Sequence, residues 1–286
     1  MAVVNTNIGA SVAQAALAKN SRDLNSAMEQ LSTGRRINSA ADNASGLAIT
    51  NRMTSQINGL GAAIRNANDA VSMISTAEGA LEEITEMLQR MREVAVQSGT
   101  GTTSEDDRTY LNAEFDELRS EIDRIAMNTE WNGRAILDGA AGGTSTSTVV
   151  FQVGVDGGQT LTVAFGNFQN GSTGTMSGLA ANSLTGATVA SGMANASDAI
   201  TALDTAIEAV SNQRATFGAA TNRLTHAVDN LTNVKVNAEA SRSRILDTDY
   251  AESTAELART QIIQQAGTAM LAQANQLPQT VLALLQ

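Results

Sequence analysis

The chain of 286 residues carries 29 acidic against 18 basic side chains, and this net charge of −11 argues against nucleic-acid binding, which normally requires a basic face. Its lack of cysteine excludes disulfides and thiolate metal ligands, and a single histidine, His226, excludes multi-histidine metal sites. Because only 1 proline is present, long uninterrupted helices are allowed.

The first 18 residues carry no charged side chain, but their asparagines and glutamine make them too polar to span a membrane. They also lack the basic start of a secretory signal peptide, so composition alone favours a cytoplasmic protein. A sparse apolar stripe predicts a first helix, and its members are Val12, Leu24, Met28 and Leu31.

A seven-residue apolar repeat follows and predicts a long coiled-coil-like helix. One apolar row comprises Leu60, Ala67, Ile74, Leu81, Leu88 and Ala95. A second row changes phase near Glu78, which favours a bundle over a two-stranded coil because the helix then faces more than one neighbour. Gly99 predicts the end of this helix, and Ser104 with Asp107 forms a capping-box pattern for the next, which continues to Ile125.

The middle of the chain has a different composition. Between Asp138 and Asp198 the only charged residue is Asp156, and 12 of the 23 glycines lie there. Alternating apolar residues on both sides of Asp156 predict a β-hairpin at 149–165, whose apolar face needs the helices beneath it. Residues 167–192 show no period, and we expect them to be outermost, to bury little apolar surface and to be dispensable.

Helical periodicity returns from residue 198. One row is apolar in six successive heptads, namely Leu203, Val210, Phe217, Leu224, Leu231 and Ala238. It predicts a helix of about 45 residues. The predicted fold is therefore mainly α, a long coiled-coil-like helical bundle drawn from the N- and C-terminal flanks, with a small β-hairpin and a Gly/Ser/Thr-rich outer insert.

The last 27 residues, 260–286, are uncharged and rich in glutamine. Like the N-terminal stretch, they have too little apolar area to fold alone. We expect both ends to become ordered by association, partly with each other and partly with other copies of the chain.

No catalytic or cofactor site is predicted. His226 lies off the apolar row of its helix, as a solvent-facing residue does. The glycine-rich segment at 154–159 lacks the lysine of a phosphate-binding loop and lies in a hairpin turn. Acidic pairs such as Glu82 and Glu83 alternate with arginines at helical spacing, which is typical of a solvated face. We therefore expect a protein that is not an enzyme and needs neither metal nor cofactor.

Long motifs resemble those of bacterial flagellins over nearly the whole chain, except about 167–192. In the first half they are VNTNI at 4–8, LSTGRRINSAADNASGLAI at 31–49, RNAND at 65–69, EGALEEI at 78–84 and LQRMREVAVQS at 88–98. Further on they are EWNG at 130–133, FQVG at 151–154, GQTL at 158–161, DTDYA at 247–251 and LPQTVLALL at 277–285.

This resemblance implies a structural subunit that polymerises into the extracellular flagellar filament used for swimming. It implies inner-tube terminal helices at 1–44 plus 243–286, an outer core helical bundle at 45–138 plus 193–242, and a β-hairpin and variable surface insert at 139–192. It also implies export through the flagellar type III apparatus without a cleaved signal peptide, which replaces the cytoplasmic expectation.

The partners implied are copies of the same chain in a helical filament, the flagellar export apparatus, a flagellin chaperone, hook-associated and cap proteins, and the host Toll-like receptor for flagellin. Neither nucleic acid nor membrane insertion is expected. The polymerisation and chaperone segment carries Ile262, Ile263, Leu271, Leu277, Val281, Leu282 and Leu285. The receptor-recognition residues implied are Leu88, Gln89, Arg90, Glu93, Val94, Gln97 and Glu114.

Two alternatives remain at this stage. A hook–filament junction protein has similar terminal helices, although it is not expected to match the 88–98 segment so fully. An enzyme grafted on the insert is disfavoured because no titratable cluster lies there.

Overall fold

The computed structural model describes residues 7–143, 147–170, 176–180 and 182–283, and at 180 and 277–283 it describes only the backbone. The helices are α1 (Ile8–Thr33), α2 (Ala40–Ser98), α3 (Glu105–Asn128), α4 (Ser177–Ala180), α5 (Val189–Leu246) and α6 (Tyr250–Ala283). The strands are β1 (Glu130–Trp131), β2 (Arg134–Ala135), β3 (Thr148–Gln152) and β4 (Thr160–Ala164). The mainly α fold predicted from the sequence is confirmed.

The chain forms two compact units. One consists of Met1–Ile57 with Val236–Gln286, and the other of Asn58–Lys235. The terminal unit therefore holds α1 and α6, whereas the central unit holds α3, both strand pairs and most of α2 and α5. Among the described residues, no helix is long and apolar enough to cross a bilayer.

The connectors of the terminal unit are held together by backbone hydrogen bonds. Gly34 ends α1 in the left-handed conformation, at φ 68°, where its N–H donates to Gln30 O. The Arg36 N–H donates to Leu246 O at 2.7 Å, and the Thr248 N–H donates to Gly34 O at 3.1 Å. The α1–α2 connector is thereby tied to the α5–α6 connector.

The central unit is built on the two predicted heptad rows. All six members of the α2 row, Leu60 to Ala95, are buried. In the α5 row the first four members are buried and the last two, Leu231 and Ala238, are half-buried. Helix α5 starts earlier than the heptads indicate, because Thr188 and Ser191 cap it by exchanging side-chain hydrogen bonds with each other's backbone N–H.

The junction of α2 and α3 depends on a buried arginine. Arg108 is fully buried, and its guanidinium donates to the carbonyl oxygens of Ser98 and Thr100, which no further turn of α2 can satisfy. The predicted capping box at the start of α3 is present, with Ser104 and Asp107 bonded reciprocally. The Ser104 hydroxyl holds the pKa of the Asp107 carboxyl below its ordinary value.

The predicted hairpin is confirmed as the antiparallel pair β3–β4, with Phe151 opposite Leu161. Leu161 is buried and Phe151 is half-buried against the helical core, whereas Val150 points to solvent. The hairpin turn rests on α2 at Gly59, where an added Cβ would come within 2.8 Å of the Val155 side chain. The hairpin is therefore part of the core and not an appendage.

The expectation that residues 167–192, here called the insert, bury little apolar surface is wrong. Four of its apolar side chains are buried in the core of the central unit: Phe168, Met176, Leu179 and Leu184. Polar bonds hold the insert to α3, since the Asn112 amide oxygen accepts from the Leu184 N–H at 2.8 Å and from the Ser183 hydroxyl at 3.1 Å. Residues 171–175 and 181 lie outside the described part of the chain.

Phe151→Asp should destabilise the central unit by about 2–4 kcal/mol, because it places a charge against the core and removes aromatic packing. Thermal unfolding followed by circular dichroism measures the loss. Val150→Asp is the matched control, since Val150 is 59% exposed in the same strand. Equal stability of the two variants would contradict this orientation of the hairpin.

Leu184→Ala should cost about 2–5 kcal/mol, the usual range for a buried leucine. The control is Val189→Ala in the same region, because Val189 is 39% exposed and its truncation should cost much less, about 0.5 kcal/mol. Denaturant unfolding of both variants decides the matter. If Leu184→Ala lowers the free energy of unfolding no more than its control does, the insert does not contribute to the stability of the core.

Candidate functional site

Helices α1 and α6 pair antiparallel in the terminal unit. The Asn7 side-chain amide donates to Ala274 O at 2.8 Å at one end, and the Tyr250 hydroxyl donates to Leu31 O at 3.1 Å at the other. The least exposed residues of each helix recur at intervals of three and four, as in a coiled coil. On α1 this seam comprises Ala10, Ala13, Leu17, Asn20, Leu24, Ala27 and Leu31, and on α6 it comprises Ser253, Leu257, Thr260, Gln264, Gly267, Leu271 and Ala274.

This seam is unusually small and polar for a coiled coil. Asn20 is buried and its amide nitrogen donates both to Thr260 O at 2.8 Å and to Gln264 Oε1 at 3.0 Å. Leu17 lies over Gly267, where an added Cβ would approach a Leu17 methyl to 3.0 Å. The pair therefore buries few large apolar groups in its own interface.

The leucines of the described part lie in the seam, but the isoleucine and methionine side chains and Val12 face outward. Exposed members are Ile8, Val12 and Met28 on α1 and Ile262, Ile263 and Met270 on α6. The helix predicted from the sparse stripe is confirmed as α1, and the members of the stripe divide: Val12 and Met28 are 64% and 50% exposed, whereas Leu24 and Leu31 are half-buried in the seam. Such a concentration of exposed apolar groups marks a surface for packing against other protein.

The polymerisation and chaperone residues fall into three groups. Ile262 and Ile263 lie on the outward surface, whereas Leu271 is half-buried in the seam. Leu277, Val281 and Leu282 belong to α6, but their side chains lie outside the described part. Leu285 also lies outside the described residues.

The receptor-recognition residues divide between surface and core. Gln89, Arg90, Glu93 and Gln97 are exposed on α2, and Glu114 of α3 lies beside them. Leu88 and Val94 are instead 0% and 1% exposed and pack in the core, because they belong to the inward face of α2. They offer no surface to a partner and can act only by fixing the position of their neighbours.

Arg90 organises the exposed part of this surface. Its guanidinium bonds Glu114 on α3 at 2.8 Å and Glu93, one turn along α2, at 3.0 Å. The Glu114 carboxylate raises the pKa of Arg90, with a further contribution from Glu93, so the guanidinium stays charged. A second bridge that sequence reasoning missed joins Arg92 to Asp204 of α5 at 2.7 Å.

No cluster of three or more metal-ligating side chains occurs among the described residues. His226 is exposed, as its position off the apolar row predicts.

Comparisons with known proteins agree with this reading. Residues 4–141 match the bacterial flagellin N-terminal helical region, and residues 200–285 match the C-terminal helical region. A flagellin of Halalkalibacterium halodurans is 44% identical over 99% of this chain and 100% of its own length. Flagellin A of Vibrio cholerae serotype O1 is 35% identical, with 99% of each chain covered.

A solved structure of a putative flagellar hook-associated protein from Vibrio parahaemolyticus shares the fold, with a TM-score of 0.59, 72% of this chain and 100% of that chain covered. Its sequence identity is 15%, so the likeness concerns the fold alone. Nothing favours the hook–filament junction alternative. A structural subunit, without a catalytic role, fits the family. The chain belongs to the bacterial flagellins, the subunits of the flagellar filament outside the cell.

Proposed function

We propose that the outward apolar residues of α1 and α6 form the contacts through which terminal helices of neighbouring subunits pack into the inner tube of the filament. The observation that carries this proposal is the outward position of isoleucine, valine and methionine side chains on α1 and α6, while leucines and small or polar residues fill the seam. Burial of those groups lowers the free energy only when other copies cover them.

The absence of charge favours the same arrangement. Residues 1–18 and 260–286 carry no ionised side chain, so their burial between subunits requires no desolvation of charge. Inner-tube helices at 1–44 plus 243–286, within an outer core at 45–138 plus 193–242 and a surface element at 139–192, are the organisation we propose for the assembled subunit.

We further propose that the subunit leaves the cell through the flagellar export apparatus without a cleaved signal peptide. Before export, the exposed Ile262 and Ile263 surface of α6 is an aggregation hazard, and a flagellin chaperone that covers α6 would remove it. Hook-associated and cap proteins at the two ends of the filament would cover the same surface of the terminal subunits.

Ile262→Asp tests the assembly surface. Ile262 is 65% exposed, so the variant should keep the helix content and thermal unfolding of the dispersed subunit. Its critical concentration for polymerisation should rise about tenfold or more, because a carboxylate then faces an apolar contact. Sedimentation and electron microscopy measure this concentration.

Ile262→Leu is the matched control and should polymerise close to the wild-type concentration, since it keeps the apolar volume. Assembly of Ile262→Asp at the wild-type concentration would remove this part of α6 from the subunit contacts.

We propose in addition that the exposed surface around Arg90 is recognised by the Toll-like receptor for flagellin. Its support is the exposed cluster of Gln89, Arg90, Glu93 and Gln97 beside Glu114, in which a guanidinium is held in a fixed orientation by two carboxylates. Arginine is among the side chains that most often dominate binding energy at protein interfaces.

Arg90→Ala should lower receptor activation by the dispersed subunit about tenfold, the effect of losing ~1.4 kcal/mol of binding, without loss of fold. Arg124→Ala is the matched control, because Arg124 is another exposed arginine in a salt bridge, with Glu121 on α3. Dose–response curves in receptor reporter cells measure both. Equal potency of the two variants would exclude Arg90 from the recognised surface.

A further inference from the structure

We infer that the Asn20–Gln264 contact, together with the backbone bonds between the connectors, holds α1 and α6 in one register, and so selects one alignment of the terminal helices for every subunit. This inference rests on the proposed role of the pair in the filament. A filament needs the outward apolar residues of all its subunits at equivalent positions, and a slipped pair would move them.

The apolar part of the seam discriminates poorly between registers. Seam positions recur every seven residues on both helices, so a shift of α6 by one heptad again places seam positions opposite each other over most of the pair. Such a shift brings Ser253 or Gly267 opposite Leu24, and Tyr250 or Gln264 opposite Ala27, and all four are uncharged. Apolar burial changes little, and the hydrophobic effect alone leaves the alternatives close in free energy.

Charge contributes to register at one end only. Nothing charged occurs in residues 1–18 or 260–286. Arg259 is bonded chiefly to Glu256 on its own helix, which raises the pKa of Arg259, and Asp23 of α1 adds the smallest effect. The backbone bonds between the connectors hold the end of the pair near Gly34 and Thr248, and over the rest of the seam the register comes from uncharged side chains.

Asn20 distinguishes the observed alignment from its neighbours. Its amide nitrogen has two acceptors, Thr260 O and Gln264 Oε1. A shift of one heptad replaces Gln264 by Leu271 or by Leu257, neither of which offers a side-chain acceptor. A backbone carbonyl equivalent to Thr260 O would still lie near Asn20, but the buried Asn20 would lose its side-chain acceptor and Gln264 would lose the donor that Asn20 supplies, which costs free energy for buried polar groups.

The Leu17 contact supports the same alignment through shape. Leu17 occupies the space left by the missing side chain of Gly267. A shift of one heptad places Thr260 or Ala274 opposite Leu17, and both carry the Cβ that would press on it. A buried asparagine that fixes alignment at some expense of stability is an established device in coiled coils.

Engineered cysteines report the register cleanly because the chain has none of its own. The double variant L17C/G267C reports the observed alignment, and L17C/A274C and L17C/T260C report the two shifts by one heptad. Each keeps the Thr260 carbonyl and the Gln264 amide. Purified filaments are oxidised, and disulfides within a chain are separated from those between chains by mass under non-reducing conditions.

With Asn20 present, only L17C/G267C should cross-link within the chain. Asn20→Leu should raise the yield of the disulfide in at least one shifted pair about tenfold, and the yield of the L17C/G267C disulfide should fall correspondingly. Thr260→Val is the matched control for the 267 and 274 reporters, since its hydroxyl bonds only within α6. It should leave the cross-linking pattern unchanged.

If Asn20→Leu does not assemble, Asn20→Ala takes its place with the same expectation. If filaments of these variants still cross-link only through the L17C/G267C pair, the register assignment is overturned, while the proposed assembly is left intact. Failure of Ile262→Asp to affect polymerisation would instead count against the assembly surface itself.

Discussion

The proposed assembly depends on one constraint: the paired terminal helices leave isoleucine, valine and methionine side chains exposed to water. An isolated pair can bury only the short side chains and the few leucines of its seam, while groups such as Ile8 and Ile262 remain in water. Because the hydrophobic term is proportional to the area removed from water, the assembly that we propose would add the burial of these groups to the stability of the helices. In that proposal, polymerisation and the ordering of the termini are coupled.

The central unit, in contrast, buries its large apolar residues within its own chain. Its helices bury their apolar rows within a single chain, and the hairpin and the insert complete the same core. The Phe165 and Phe217 rings pack with centroids 5.1 Å apart and join the end of β4 to α5. This unit can therefore be stable before assembly, which leaves its surface, including the Arg90 cluster, available to partners of the free subunit.

Sequence periodicity predicted those parts of the fold in which large apolar residues face the core. The heptad rows of α2 and α5, the capping box at Ser104 and the β3–β4 hairpin are confirmed. The sparse stripe of α1 predicted the helix but not which of its side chains face α6: Leu24 and Leu31 do, whereas Val12 and Met28 are exposed. Much of the seam is formed by alanine, glycine and asparagine, which carry a weak periodic signal.

Two further features have no local signal in the sequence. Leu184 is buried, and Asn112, far away in the chain, accepts its backbone N–H. An irregular segment that is held by such a distant contact shows no period in the sequence. Arg108 resembles the other arginines at helical spacing, yet it is buried against the end of α2. Of the implied recognition residues, the exposed set around Arg90 meets on one surface. The burial of Leu88 follows from the heptad row that also predicted the helix, and the buried Val94 adjoins Ala95 of that row.

Hydrogen exchange of the backbone, compared between dispersed subunits and filaments, tests the dependence of the terminal helices on assembly most directly. Peptides from α1 and α6 should exchange far faster than the core of α2 and α5 in dispersed subunits, and should gain the largest protection of any segment in the filament. Protection of α1 and α6 that equals that of the core before assembly, and does not change upon polymerisation, would contradict this account.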